Sequence, residues 1–231
     1  MTARSILGAL AAALVAGAAQ AATVVDHIQV AASDLAAGSR AVADLTGVTP
    51  KVGGVHPGRG TANALMSLGP RTYLEVITPA PDQPATTPMA QELAGVKGIG
   101  VRTFAVASSD LDAVAAAARK AGLGVDGPSP GSRQTPEGQL LKWRALTPTS
   151  PEFGLYIPFF IDWGDMVHPA TTSPAGARFT RLRVVHPRAA ELRRIYAALG
   201  LDIEVSPGPE PQMILEISGP KGEATIGGER H

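Results

Sequence analysis

The chain has 231 residues, 45% of them hydrophobic and 17% charged, with 20 basic against 20 acidic side chains and no cysteine. That composition is globular, and a neutral balance without a basic run argues against nucleic acid as a partner. The absence of cysteine excludes disulfides, thiol nucleophiles and thiolate metal ligands, so stability has to come from the core.

The first 21 residues read as a signal peptide. Arg4 is followed by an apolar run from Ile6 to Ala19, and Ala19-Gln20-Ala21 has the small-residue pattern of a cleavage site. The run is too short to cross a bilayer, and no later segment is long and apolar enough to do so. The expectation is an exported chain, periplasmic or secreted, without a membrane anchor after cleavage.

From residue 23 onward the sequence repeats itself. Alternation and β-branched residues predict a strand from Val24 to Ala31. Ser33 or Asp34 caps a helix that runs to about Leu45, and Gly47 ends it. Strands follow at about Pro50 to Val55, Ala62 to Leu68 and Thr72 to Thr78. A stretch rich in Pro and Thr, Pro79 to Pro88, then reads as a linker. Arg102 to Leu111 repeats the opening pattern, with a helix to Ala121 closed by Gly122. Its strands are weak at Gly124 to Val125, then Leu140 to Leu146 and Phe153 to Ile161. A second linker, His168 to Gly176, leads to a third copy from Thr180, with a helix over Glu191 to Leu199. Its strands are Asp202 to Val205, Gln212 to Ser218 and Glu223 to Ile226.

Each unit is βαβββ, and the predicted class is α+β. Two modules, 23–79 and 99–165, pair into a cup-like domain over 23–165, and a third, partial module fills 177–231. Two such units bury their apolar sheet faces and enclose a cavity for a small-molecule ligand. The third module extends the sheet, covers part of the cup, or pairs with a second chain as a homodimer; the sequence leaves these open.

Several segments resemble the glyoxalase-like domain of the vicinal oxygen chelate superfamily. They are Asp26-His27-Ile28, Val55 to Leu65 with its Gly-rich turn, Tyr73-Leu74-Glu75-Val76-Ile77, Pro128 with Gly131-Ser132-Arg133, Leu141 to Arg144, and Ile157 to Gly164. The resemblance spans about Thr23 to Gly176. It implies a His on the first strand and a Glu on the fourth strand of a module, facing the cup and able to hold a divalent metal ion. His27 and Glu75 match those positions. Module two departs from the pattern: Thr103 stands where His27 would, and no carboxylate occurs in Tyr156-Ile157-Pro158-Phe159. In the third copy the matching residue is Arg181. A third ligand would have to come from His56, completing a two-His-one-carboxylate set.

Around that set, Asn63 is a candidate hydrogen-bond partner for a substrate oxygen. Arg133 and Arg144 are candidate anchors for an anionic group. Trp143, Phe159 and Trp163 are expected to wall the cavity. His168 and His186, each before a proline, read as structural. No zinc-peptidase, serine-hydrolase or dinucleotide motif is present. The expected function is an exported metal-dependent lyase, isomerase or dioxygenase acting on a small oxygenated anion, with His27 and Glu75 catalytic. The alternative is a metal-free protein of the same fold that sequesters a small molecule.

Overall fold

A computed structural model describes residues 23–227; the expected signal peptide lies outside the described residues. Module one comprises β1 (Val25–Ala31), α1 (Leu35–Thr46), β2 (Lys51–His56), β3 (Thr61–Gly69) and β4 (Thr72–Pro79). Asp34 caps α1 by accepting from the Ala37 amide, and Gly47 ends it at φ 80°, a backbone state that favours glycine. The first linker contains a short helix not expected from its composition, α2 (Pro88–Ala94). Thr87 caps it, Pro88 sits in its first turn, and it buries Ala90 and Leu93.

Module two comprises β5 (Gly100–Ala107), α3 (Leu111–Lys120), β6 (Gly124–Gln134), β7 (Leu140–Thr149) and β8 (Phe159–Asp162), with a 3₁₀ turn at Gly154–Tyr156. The weak two-residue strand expected at Gly124 is in fact an 11-residue strand. Its glycines and prolines are tolerated because β6 lies at a sheet edge, and a register shift between Asp126 and Ser129 absorbs Gly127-Pro128. The third module adds β9 (Arg178–Val185), α4 (Ala189–Ala198), β10 (Glu204–Ser206), β11 (Gln212–Gly219) and β12 (Gly222–Gly227). No helix among the described residues is long and apolar enough to cross a membrane.

Modules one and two share one curled eight-stranded sheet, in the order β2-β3-β4-β1-β5-β8-β7-β6. Its ends approach one another: the Arg133 guanidinium on β6 donates to the Gly53 carbonyl on β2, and Lys51 pairs with Glu137 at 2.6 Å. Strand alternation gives the sheet two unlike faces. His27, Gln29, Asn63, Tyr73 and Glu75 line the cup inside, whereas Ile28, Val30, Ala64, Leu74 and Val76 enter the core behind it.

The third module neither extends this sheet nor covers the cup. It forms its own sheet, β10-β9-β11-β12, whose Leu182, Met213, Leu215 and Ile217 share the core cluster behind the cup. Phe104 of β5 meets Tyr196 of α4 edge-on at 6.4 Å, and the Tyr196 hydroxyl donates to the Tyr156 carbonyl at 2.6 Å. Gly219 passes so close to α1 that a Cβ there would lie 2.3 Å from the Thr46 carbonyl oxygen. The cause is burial: the back of the curled sheet is apolar and needs a cover.

Candidate active site in the cup

The cup encloses a cavity of about 530 Å³. Near its floor is the Glu75 carboxylate, only 4% exposed. β1 and β4 run parallel with Gln29 opposite Glu75, so the Gln29 amide donates to Oε2 at 2.8 Å. From β3, the Asn63 amide donates to Oε1 at 2.6 Å. The two histidines flank the same group, His27 Nε2 at 3.6 Å from Oε2 and His56 Nε2 at 3.7 Å from Oε1. Burial pushes the Glu75 carboxyl upward, but the two histidines and the two amide donors outweigh it and hold its pKa below the ordinary value of 4.5. Glu75 is therefore a charged carboxylate at neutral pH.

Each histidine is anchored on its outer nitrogen. His27 Nδ1 lies 2.6 Å from Asp26 Oδ1, while Asp26 Oδ2 is approached by His168 Nε2 at 2.9 Å and accepts from the Trp163 indole at 3.1 Å. Burial raises the Asp26 pKa, and the hydrogen bonds from His168 and His27 more than offset it, so Asp26 is also ionised. With Asp26 accepting at Nδ1, a neutral His27 ring turns the Nε2 lone pair toward the cup. Two acceptors, that nitrogen and Glu75 Oε2, then face one another across a gap that suits a cation or a proton-bearing group. His56 differs. Its Nδ1 lies 2.9 Å from the Thr61 hydroxyl, and its Nε2 lies 3.3 Å from the Asn63 amide nitrogen. Burial lowers the His56 pKa and keeps it neutral. The Asn63 carbonyl oxygen, buried, has no hydrogen-bond partner.

Among the described residues no three His, Asp or Glu side chains form a ready metal-binding group. The donor chemistry of His27 and Glu75 fits a divalent ion, because both present an acceptor to one gap and His27 has a carboxylate behind it. His56 would join them by giving up its contact with Asn63.

The other expected residues divide. Arg133 lines the cup and is 3% exposed, and it makes no ion pair among the described residues; burial lowers its pKa and the nearby Tyr73 and Glu75 raise it. Trp143, Phe159 and Trp163 line the cavity. Trp143 packs against β6 at Gly131, where an added Cβ would be 2.3 Å from its indole nitrogen. Arg144 is exposed and absent from the cavity wall, because it alternates with Trp143 on β7 and so points outward. Thr103 lines the cup but donates its hydroxyl to the Leu155 carbonyl at 2.9 Å, and β8 contributes Phe159 and Ile161 and no carboxylate.

Several residues of the site escape a reading of the sequence for ligands and anchors, among them Asp26, Gln29, Arg102 and His168. Asp26 and Arg102 both sit where the β1–β5 register shifts, Asp26 between Val25 and His27 and Arg102 opposite the shift at Gln29 and Val30. A bulge turns a side chain out of strict alternation. Thus Arg102 and Thr103, though adjacent, both reach the cup, and Arg102 donates to Gln29 at 3.2 Å and pairs with Glu92 at 2.9 Å. Gln29 was legible in principle, two residues beyond His27 on the same face. His168 arrives from a linker, and no local pattern announces it.

The sequence matches the family described as "Glyoxalase-like domain" over residues 25–200. The chain belongs to the glyoxalase-like domain family. The match runs beyond residue 165, through β9 and α4. No curated protein matches the chain. Among solved structures, a hypothetical protein from Staphylococcus aureus superposes with a TM-score of 0.62 at 18% identity, covering 89% of this chain and 85% of that one. A mutant 4-hydroxymandelate synthase from Streptomyces coelicolor gives 0.54 at 16% identity, with 90% and 63% covered. Methylmalonyl-CoA epimerase from Mycobacterium tuberculosis gives 0.49 at 20% identity, with 64% and 92% covered. The likenesses to the first two concern the fold of this glyoxalase-like chain alone.

Proposed function

We propose that this glyoxalase-like chain is an enzyme that binds a small oxygenated anion in its cup and moves a proton at a carbon beside a carbonyl, with Glu75 as the base. The observation that carries this reading is the pairing of opposite charges in one cavity: the buried Glu75 carboxylate and the buried Arg133 guanidinium, which makes no ion pair among the described residues. Arg133 suits a substrate carboxylate, held in part by two parallel N–H bonds. A protein that merely stored an anion would gain nothing from a second, like-charged carboxylate in the same space, which repels the ligand and is costly to bury. Glu75 therefore has a chemical task. His27 Nε2 beside it can hold a proton-bearing substrate oxygen, and Trp143, Trp163 and Phe159 limit the access of water.

A divalent ion, where bound, would be held by His27 and Glu75, with His56 as a third ligand, and would polarise the substrate carbonyl. The alternative of a metal-free binding protein draws support from module two, where Thr103 and Phe159 stand in place of a second ligand pair. The test of the enzyme reading is hydrogen–deuterium exchange at carbon in 2-oxo acids, followed by NMR in heavy water. Exchange above the uncatalysed rate supports it, and none across the panel favours storage.

The reading also places the protein outside the cytoplasm. Native protein purified without chelator addresses both points: its N-terminus is expected at Ala22, and near-stoichiometric metal is expected to vanish in a His27→Ala/Glu75→Ala variant that keeps its circular dichroism. An intact Met1 sinks export, and metal retained by the variant sinks the assignment of ligands.

A further inference from the structure

The cup wall is unbalanced in charge. Three guanidiniums line it, Arg59, Arg102 and Arg133, against the single carboxylate of Glu75. Arg102 is already committed to Glu92 and Gln29. Arg59 and Arg133 make no ion pair among the described residues, although the same protein pairs Arg181, Arg183 and Arg188 with acids on its outer surface.

Arg59 is exposed, yet its backbone is fixed. It lies in the turn that joins β2 to β3, where Gly58 and Gly60 take φ of 72° and 65°. The Arg59 amide donates to the His56 carbonyl at 3.2 Å, its own carbonyl accepts from the Thr87 hydroxyl at 2.8 Å, and the neighbouring Gly60 carbonyl accepts from the Ala80 amide at 2.8 Å. The turn and the start of α2 thus hold each other, and they present one guanidinium at the mouth of the cup. Arg133 is its buried counterpart inside. Arg59 follows the end of β2 by three residues, and Arg133 donates to the Gly53 carbonyl on that same strand, so the two cations share one region of the cavity.

We propose that the substrate carries two anionic groups, a dicarboxylate being the simplest case, with one end held by Arg133 inside the cup and the other by Arg59 at its mouth. This rests on the anion-binding reading above and goes beyond it by giving the exposed turn a part in choosing the substrate. The span between the two ends presents the intervening carbons to Glu75 and His27. A monocarboxylate leaves Arg59 without a partner and forgoes one charge-assisted pair.

The test is equilibrium binding by calorimetry on the full mature chain at low salt and neutral pH. Succinate and glutarate are set against butyrate and pentanoate, acids of equal carbon number. The expected result is that a diacid binds about tenfold more tightly than its monoacid, the size of one added charge-assisted contact. Arg59→Gln should erase that preference, weakening the diacid by far more than the monoacid. Arg133→Gln should weaken both, and Arg71→Gln, which changes the same surface charge away from the cup, should alter neither. Equal binding of diacid and monoacid, or a preference that survives Arg59→Gln, overturns the second anionic group and leaves the Arg133 anchor standing. If no acid of either kind binds, the anchor and the proposed anionic substrate fall together.

Discussion

Glu75→Gln is expected to reduce carbon exchange in 2-oxo acids by about 10²- to 10⁴-fold, the usual contribution of a positioned base. The substitution keeps the size of the side chain. It removes the charge and one of the two acceptors that Gln29 and Asn63 address. The measurement is the NMR exchange rate of the variant beside the unaltered protein; equal rates would remove Glu75 from the chemistry. The pH profile follows from the direction of its pKa. The Glu75 pKa lies below 4.5, so the base is ionised across the neutral range, and the part of the rate that depends on it should be lost only below about pH 4.5. Stability has the same sign. A carboxylate with a depressed folded pKa contributes stability above its unfolded value, and the contribution is lost as pH drops through the folded one. Glu75→Gln should therefore flatten the acid limb of the stability curve.

Phe104→Ala is expected to destabilise the whole protein by about 4 kcal/mol, within the range for buried aromatic truncations. Phe104 is fully buried on β5, at the join between the back of the cup and Tyr196 of the third module. Because one core cluster spans both sheets, unfolding should remain a single transition in urea, shifted to lower denaturant with little change in slope. A loss below about 1 kcal/mol, or a second transition, would show that the third module is seated on the sheet less firmly than its packing implies.

The sequence by itself determined the modules and half of the site. Helix caps and stops are local, so Ser33 or Asp34 and Gly47 bounded α1 from the sequence, and the structure assigns the cap to Asp34. Alternation is equally local, and it put His27 and Gln29 on one face of β1, and Tyr73 and Glu75 on one face of β4. Only the tertiary structure decided the rest. Bulges broke alternation at Asp26 and Arg102, and the curl of the sheet decided that the Trp143 face of β7, and not the Arg144 face, meets the cup. The third module had an apolar face in any reading. Which surface it covered depended on the curl of the eight-stranded sheet, whose outer side carries Ile28, Val30, Leu74, Val76 and Phe104 into the shared core. The company of His27 was likewise a long-range matter. Asp26 is its neighbour in the chain, but His168 and Trp163 reach that carboxylate from more than a hundred residues away, where hydrogen bonding of a buried charge, and no local propensity, selects the partner.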